Sequence, residues 1–140
     1  MFKGLVGLAF ASISVFKAPP LIETLITQGQ LSSPVFSFAL TTTSAELTVG
    51  GVNPSKMSGA TTWIPVNKVA FWQIPIGTVS VAGKAVTGQA GGSAIIDTGT
   101  TLMLGRKAEV ASIYSAVPGA KKVNIPGAEG LDVYSCEFTD

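Results

Sequence analysis

The chain has 140 residues, 46% of them hydrophobic and only 12% charged, with a formal net charge of +1 and no histidine. That length suits one core and one domain. The even charge without a basic block argues against a nucleic-acid partner. Without histidine, Ser-His-Asp and Cys-His nucleophilic sites are excluded, and a zinc site is disfavoured. The single cysteine, Cys136, allows neither an internal disulfide nor a Cys-pair metal site. No phosphate-cradling glycine motif follows a strand. Abundant Val, Ile and Thr with few Lys and Glu point to an all-β fold with short helices. The remaining chemistry is that of carboxylates, and no metal or cofactor is expected.

Met1-Phe2-Lys3 leads into an apolar run from Gly4 to Phe16 that imitates a secretory signal. The run is too short to span a membrane, and it is expected as a strand broken by Ala18-Pro19-Pro20. Leu21 to Gln28 reads as a helix: Pro20 suits its start, Leu21/Leu25 and Ile22/Ile26 repeat at four, and Gly29 stops it. Ser33-Pro34 opens a strand in which Phe36, Phe38 and Leu40 share one face, expected to be buried. Thr41 to Ser44 is polar and is taken as a turn or linker. Glu46 to Val52 is a second strand, and Asn53-Pro54-Ser55 begins a loop reaching to about Ala60. Thr62 to Val66 is expected as a strand, with Pro65 marking an edge or bulge. Phe71 to Val81 is expected as one long strand turned back by Ala82-Gly83-Lys84. Trp63 and Trp72 are expected in the core. Arg106 to Val117 reads as a helix with Val110, Ile113 and Val117 on one face, ended by Pro118-Gly119. Lys121 to Ile125 and Leu131 to Phe138 alternate as a final hairpin.

The stretch around which the chain is organised is Ile95-Ile96-Asp97-Thr98-Gly99-Thr100-Thr101, followed by Leu102-Met103-Leu104. A buried strand is expected to deliver one carboxylate to a tight turn lined with hydroxyls, and a second to leave it. Gly99 allows the backbone to turn and approach the acid. Thr98, Thr100 and Thr101 can donate to the carboxylate or to nearby backbone. Such an acid would be held rigidly in a dry site where its pKa can be tuned.

The stretch resembles the active-site motif of pepsin-like aspartic endopeptidases, in which two apolar residues precede Asp-Thr-Gly-Thr/Ser. Other segments match the family in order: Phe2-Lys3-Gly4-Leu5-Val6-Gly7-Leu8, Val35-Phe36-Ser37-Phe38, Glu46-Leu47-Thr48-Val49-Gly50-Gly51-Val52, Trp63-Ile64-Pro65-Val66 and Phe71-Trp72-Gln73-Ile74. Lys3 stands where the family usually has Asp. The resemblance implies a lobe of the bilobal acid protease fold, truncated, with 1–43 as the tail of an N-terminal lobe and interlobe strand, and 44–140 as an incomplete C-terminal lobe. It implies peptide hydrolysis by a water activated between two Asp, with Asp97 as one of them and Thr98, Gly99, Thr100 and Thr101 as its loop. Phe71, Ile95, Leu5 and Phe2 become candidate substrate-binding residues, core packing being the alternative for Phe2 and Leu5. The implied partner is a polypeptide substrate, and the implied location is extracellular or vacuolar.

The departures matter as much. The chain has one Asp-Thr-Gly, and neither Asp132 nor Asp140 can be its partner by motif. On the resemblance, the lobe with the other Asp lies outside this sequence, as does a closing apolar strand. Cys136 matches the first half of a family disulfide whose partner would lie further on. The expectation is therefore an internal piece of a protease, inactive alone. Two alternatives remain: a homodimer in which two Asp97 loops meet, and a non-catalytic β module that binds through a protease scaffold.

Overall fold

The computed structural model describes residues 3–86 and 92–136. The candidate Phe2 and the end of the last expected strand at Phe138 lie outside them. The chain divides into two compact units, Met1–Trp72 and Gln73–Asp140.

In the first unit the expected strand from Gly4 to Phe16 does not form. Residues 3–10 make no ladder, and a 3-10 turn follows at Ala11–Ile13. The segment is fixed at its end instead. The Phe10 amide donates to the Ala70 carbonyl (3.4 Å), and the Trp72 indole Nε1–H donates to the Leu8 carbonyl (2.9 Å). Helix α1 (Leu21–Thr27) starts after Pro20, as expected. Its first turn carries Glu23, whose carboxylate accepts the Ala11 amide (3.2 Å). It ends because Gly29 takes φ +64°, which lets Gln30 N–H reach the Leu25 carbonyl (2.9 Å). Ile22 is its buried residue.

Strands β1 (Phe36–Leu40) and β2 (Ala45–Val49) form an antiparallel hairpin in the register Phe36↔Val49 to Leu40↔Ala45. Thr41–Ser44 is its turn, closed by Ser44 N–H donating to Thr41 Oγ1 (2.9 Å) and Thr41 N–H donating to the Ser44 carbonyl (2.8 Å). The boundary expected at 43/44 falls in this turn, whereas the compact units divide between Trp72 and Gln73. Phe36, Phe38, Leu40, Leu47 and Val49 share one face of the hairpin by its register. That face is covered only at its Phe36 end. Phe36 packs edge-on against Trp72 (5.4 Å, 73°), and Trp72 against Phe10 (4.6 Å, 44°). Phe38 and Leu40 stay exposed, contrary to the expectation of a buried face.

Beyond the hairpin, Asn53 caps a 3-10 turn at Pro54–Lys56 by accepting the Ser55 amide. Its amide group also donates to Glu46 Oε1 (2.8 Å), to which Thr48 Oγ1 donates as well (3.1 Å). Residues 61–66 form no strand, and Trp63, expected in the core, is 73% exposed. Pro65 offers no N–H for a ladder, and no neighbouring strand pairs with the segment. A two-residue strand, β3 (Lys68–Val69), precedes the buried Ala70.

The second unit begins within β4 (Trp72–Ile76), which pairs antiparallel with β7 (Gly92–Ile95) in the register Gln73↔Ile95 to Ile76↔Gly92. The long strand expected from Phe71 to Val81 is broken at Gly77-Thr78. Its second half is β5 (Val79–Val81), which turns through Ala82 and Gly83, both at positive φ, into β6 (Lys84–Val86). Helix α2 (Lys107–Ser115) lies against β5 and stops two residues before the expected Val117. The final hairpin forms in shortened form as β8 (Lys121–Val123) and β9 (Val133–Ser135). Asp132 ties helix and hairpin together, bound to Lys122 at 2.8 Å and to Lys107 at 3.8 Å.

Trp72 thus holds two other segments of the first unit, residues 8–10 and β1. Trp72→Ala removes one hydrogen bond and two ring contacts, and should lower stability by about 3 kcal/mol. A urea titration followed by circular dichroism should show an earlier midpoint, with Trp63→Ala nearly unchanged.

Candidate active site

Strand β7 ends at Ile95, and Ile96 carries the chain into the Asp97 turn. Two donors seize the carboxylate from within the next three residues. The Gly99 amide donates to Asp97 Oδ1 at 2.8 Å, and the Thr100 hydroxyl donates to Oδ2 at 2.5 Å. The Thr100 amide also donates to the Asp97 carbonyl (3.4 Å). Glycine at 99 is favoured by proximity rather than by backbone conformation. A Cβ there would lie 3.2 Å from Oδ1, tighter than ordinary contact. The turn therefore closes on its own acid, and the motif's residue types are those that let it.

Both bonds favour the charged carboxylate. Thr100 first and Gly99 second hold Asp97 below its ordinary value of 3.8, against a smaller opposing effect of desolvation. The rigid, hydrogen-bonded acid expected from the sequence is present. The dry setting is not, for Asp97 and every residue of its loop are exposed. Thr98 and Thr101 make no hydrogen bond to the carboxylate; of the three hydroxyls expected there, Thr100 alone does.

The flanks differ from expectation in the same direction. Ile95 and Ile96 are exposed rather than buried, and Leu102 to Leu104 form no strand. Met103 is 94% exposed. Among the described residues β7 pairs only with β4, so nothing covers these side chains. Of the candidate substrate-binding residues, Ile95 lies in the same unit as Asp97. Leu5, 91% exposed, and Phe71, 41% exposed, belong to the first unit. The other described aspartate of this unit, Asp132, is engaged by two lysines, and Lys122 before all else keeps its pKa low. Sequence patterning gave no sign of these ion pairs, since Lys107 and Lys122 stand twenty-five and ten residues from Asp132 along the chain.

Residues 1–139 match the family model of the eukaryotic aspartyl proteases. The chain belongs to that family. It is 44% identical over 135 residues to an aspartic protease of Phaffia rhodozyma, covering 96% of this chain and 31% of that protein. It is 36% identical over 141 residues to cathepsin D of Gallus gallus, covering 97% and 34%. It is 32% identical over 142 residues to pepsin A of Sus scrofa, covering 99% and 36%. The chain thus spans about a third of the length of the curated relatives it matches. Membership fixes the family's fold class for this chain. No helix among the described residues is long and apolar enough to cross a membrane.

A depressed carboxyl pKa stabilises the fold at pH above the unfolded value, and that contribution is lost as pH falls through the folded value. Thr100→Val removes the larger of the two causes. An NMR titration of the Asp97 carboxyl should give a midpoint below 3.8 in the wild type and nearer 3.8 in the variant. Equal midpoints would show that the hydroxyl does not act on the charge.

Proposed function

We propose that this chain carries one half of the catalytic centre of a pepsin-like aspartic endopeptidase, with Asp97 as one of two carboxylates. The observation that carries the reading is the Asp97 carboxylate held by Gly99 N–H and Thr100 Oγ1 at the end of β7. Peptide hydrolysis needs a base to take a proton from water and an acid to protonate the carbonyl oxygen as the water attacks. Two carboxylates at contact perform both tasks, since they cannot both ionise and therefore share one proton. Asp97 alone is ionised and can serve only as the base. A second carboxylate brought against it would share one proton with it, so that one of the two stays protonated and supplies the acid.

Within this reading, Gly99 and Thr100 hold the carboxylate in one orientation, and Thr98 and Thr101 complete the loop. Phe71, Ile95, Leu5 and Phe2 are, by the family resemblance, the candidates to contact the bulky apolar side chains of a polypeptide substrate. The exposure of Leu5, Phe71 and Ile95 supports that role, since each is open to contact. Residues 1–43 would be the tail of an N-terminal lobe and the interlobe strand, and 44–140 most of a C-terminal lobe. The second carboxylate then comes from a further lobe of a longer chain, which is secreted or vacuolar. Uncovered apolar side chains on both sides of Asp97, at Ile95, Ile96, Leu102, Met103 and Leu104, favour a site completed by additional protein. A second copy of this chain is the competing source of that protein.

The test is acid hydrolysis of a quenched apolar peptide by this chain over a range of protein concentrations, with and without pepstatin, beside Asp97→Ala. The expected result is no turnover at any concentration. Turnover rising with the square of concentration and abolished by Asp97→Ala would assign the site to a homodimer. Peptide binding without turnover, unchanged in Asp97→Ala, would favour a non-catalytic binding module.

A further inference from the structure

The chain has two tyrosines, and they lie on one another. Tyr114 of α2 and Tyr134 of β9 stack with ring centroids 4.7 Å apart and planes within 5° of parallel. Both are half-buried. The elements that carry them are fixed by the ion pairs at Asp132, from Lys107 in the first turn of α2 and from Lys122, which stands opposite Tyr134 in the β8–β9 ladder. The two phenols are thus held as a pair by contacts beyond their own.

We infer that Tyr114 and Tyr134 form an oxidative cross-linking site, which peroxide joins ring to ring as an intramolecular dityrosine. The reaction consumes one hydrogen peroxide, delivered through a haem peroxidase as the one-electron oxidant. Each phenol loses one electron and one proton and becomes a phenoxyl radical, with spin density at the ring carbons ortho to oxygen. A carbon–carbon bond forms between one ortho carbon of each ring, and each of these carbons then loses its hydrogen to the phenol oxygen as aromaticity returns. Peroxide takes up the two electrons and two protons and leaves as two waters. The new bond grows along the normal to both ring planes, so face-to-face stacking presents the reacting lobes to each other. An edge-on pair, such as Phe36 on Trp72, would not. Partial burial leaves the electrons a short path out, while it hinders coupling to a second molecule. The product would staple α2 to β9 covalently, closing the loop between them. A chain with one cysteine cannot make such a staple by disulfide within itself.

The test treats the 140-residue chain with a haem peroxidase and hydrogen peroxide, then reads dityrosine fluorescence and intact mass in the monomer fraction. The expected product is a monomer lighter by two hydrogen atoms that carries the dityrosine signal. Its yield should fall about tenfold or more when the same reaction is run in denaturing urea, because the folded chain pre-positions the rings. Tyr114→Phe and Tyr134→Phe, which keep a ring in the stack, should each lose the signal from the monomer. Dityrosine confined to covalent dimers, or a monomer yield as high in urea as in the native state, would overturn the inference.

Discussion

The site rests on one carboxylate gripped by two donors that follow it in the chain. Gly99 N–H and the Thr100 hydroxyl each take one oxygen of Asp97. The grip is local, so it needs no distant segment to form. It fixes the plane of the carboxylate relative to β7 and keeps the group charged. A carboxylate has about four acceptor positions, and the turn occupies two of them. The remainder face outward from an exposed loop, where a water and a second acid can reach them. One set of contacts therefore accounts for both the rigidity of the group and its openness to chemistry.

What surrounds the grip is not closed in the same way. Among the described residues only Ile22 and Ala70 are buried hydrophobic side chains. Large apolar residues stand open on the β1–β2 hairpin in one unit and around Asp97 in the other. Apolar side chains in water contribute nothing to folding, so each unit depends on a few well-placed contacts. In the first they converge on Trp72. In the second they are the Asp132 ion pairs and the Tyr114–Tyr134 stack. The chain spans about a third of the length of its relatives, and the apolar side chains on either side of Asp97 are exposed.

The sequence was most legible where the structure is decided locally. The Asp97 turn could be read because its hydrogen bonds run between residues two and three apart. Both helices could be read: Pro20 and Gly29 set the ends of α1 by backbone chemistry, and α2 lies within the stretch that Pro118-Gly119 closes. The last hairpin and the turn at Ala82-Gly83 could be read because each turn brings its own partner strand back, whereas the turn at Thr41–Ser44, taken as a turn or linker and a domain boundary, joins a paired β1 and β2. Strands without a nearby partner were not legible. Residues 4–16, 62–66 and 102–104 all carry strand-like composition, yet none forms a ladder. Alternation shows which face could be buried, not whether anything arrives to bury it. Trp63 and Trp72 make the same point. They are one residue type on one kind of apolar stretch, and only Trp72 meets a carbonyl and two rings. The breadth of the match to the aspartyl proteases came from motif order, which survives where single strands do not.

The central claim is that Asp97 becomes catalytic when a second carboxylate is set against it. The most direct measurement joins the N-terminal portion of the Phaffia rhodozyma relative ahead of this chain and follows hydrolysis of an apolar peptide at acid pH. The account predicts that the joined protein hydrolyses the peptide, and that Asp97→Asn lowers the rate by about 10²–10⁴-fold. A joined protein that folds and cleaves equally well with Asn at that position would contradict it.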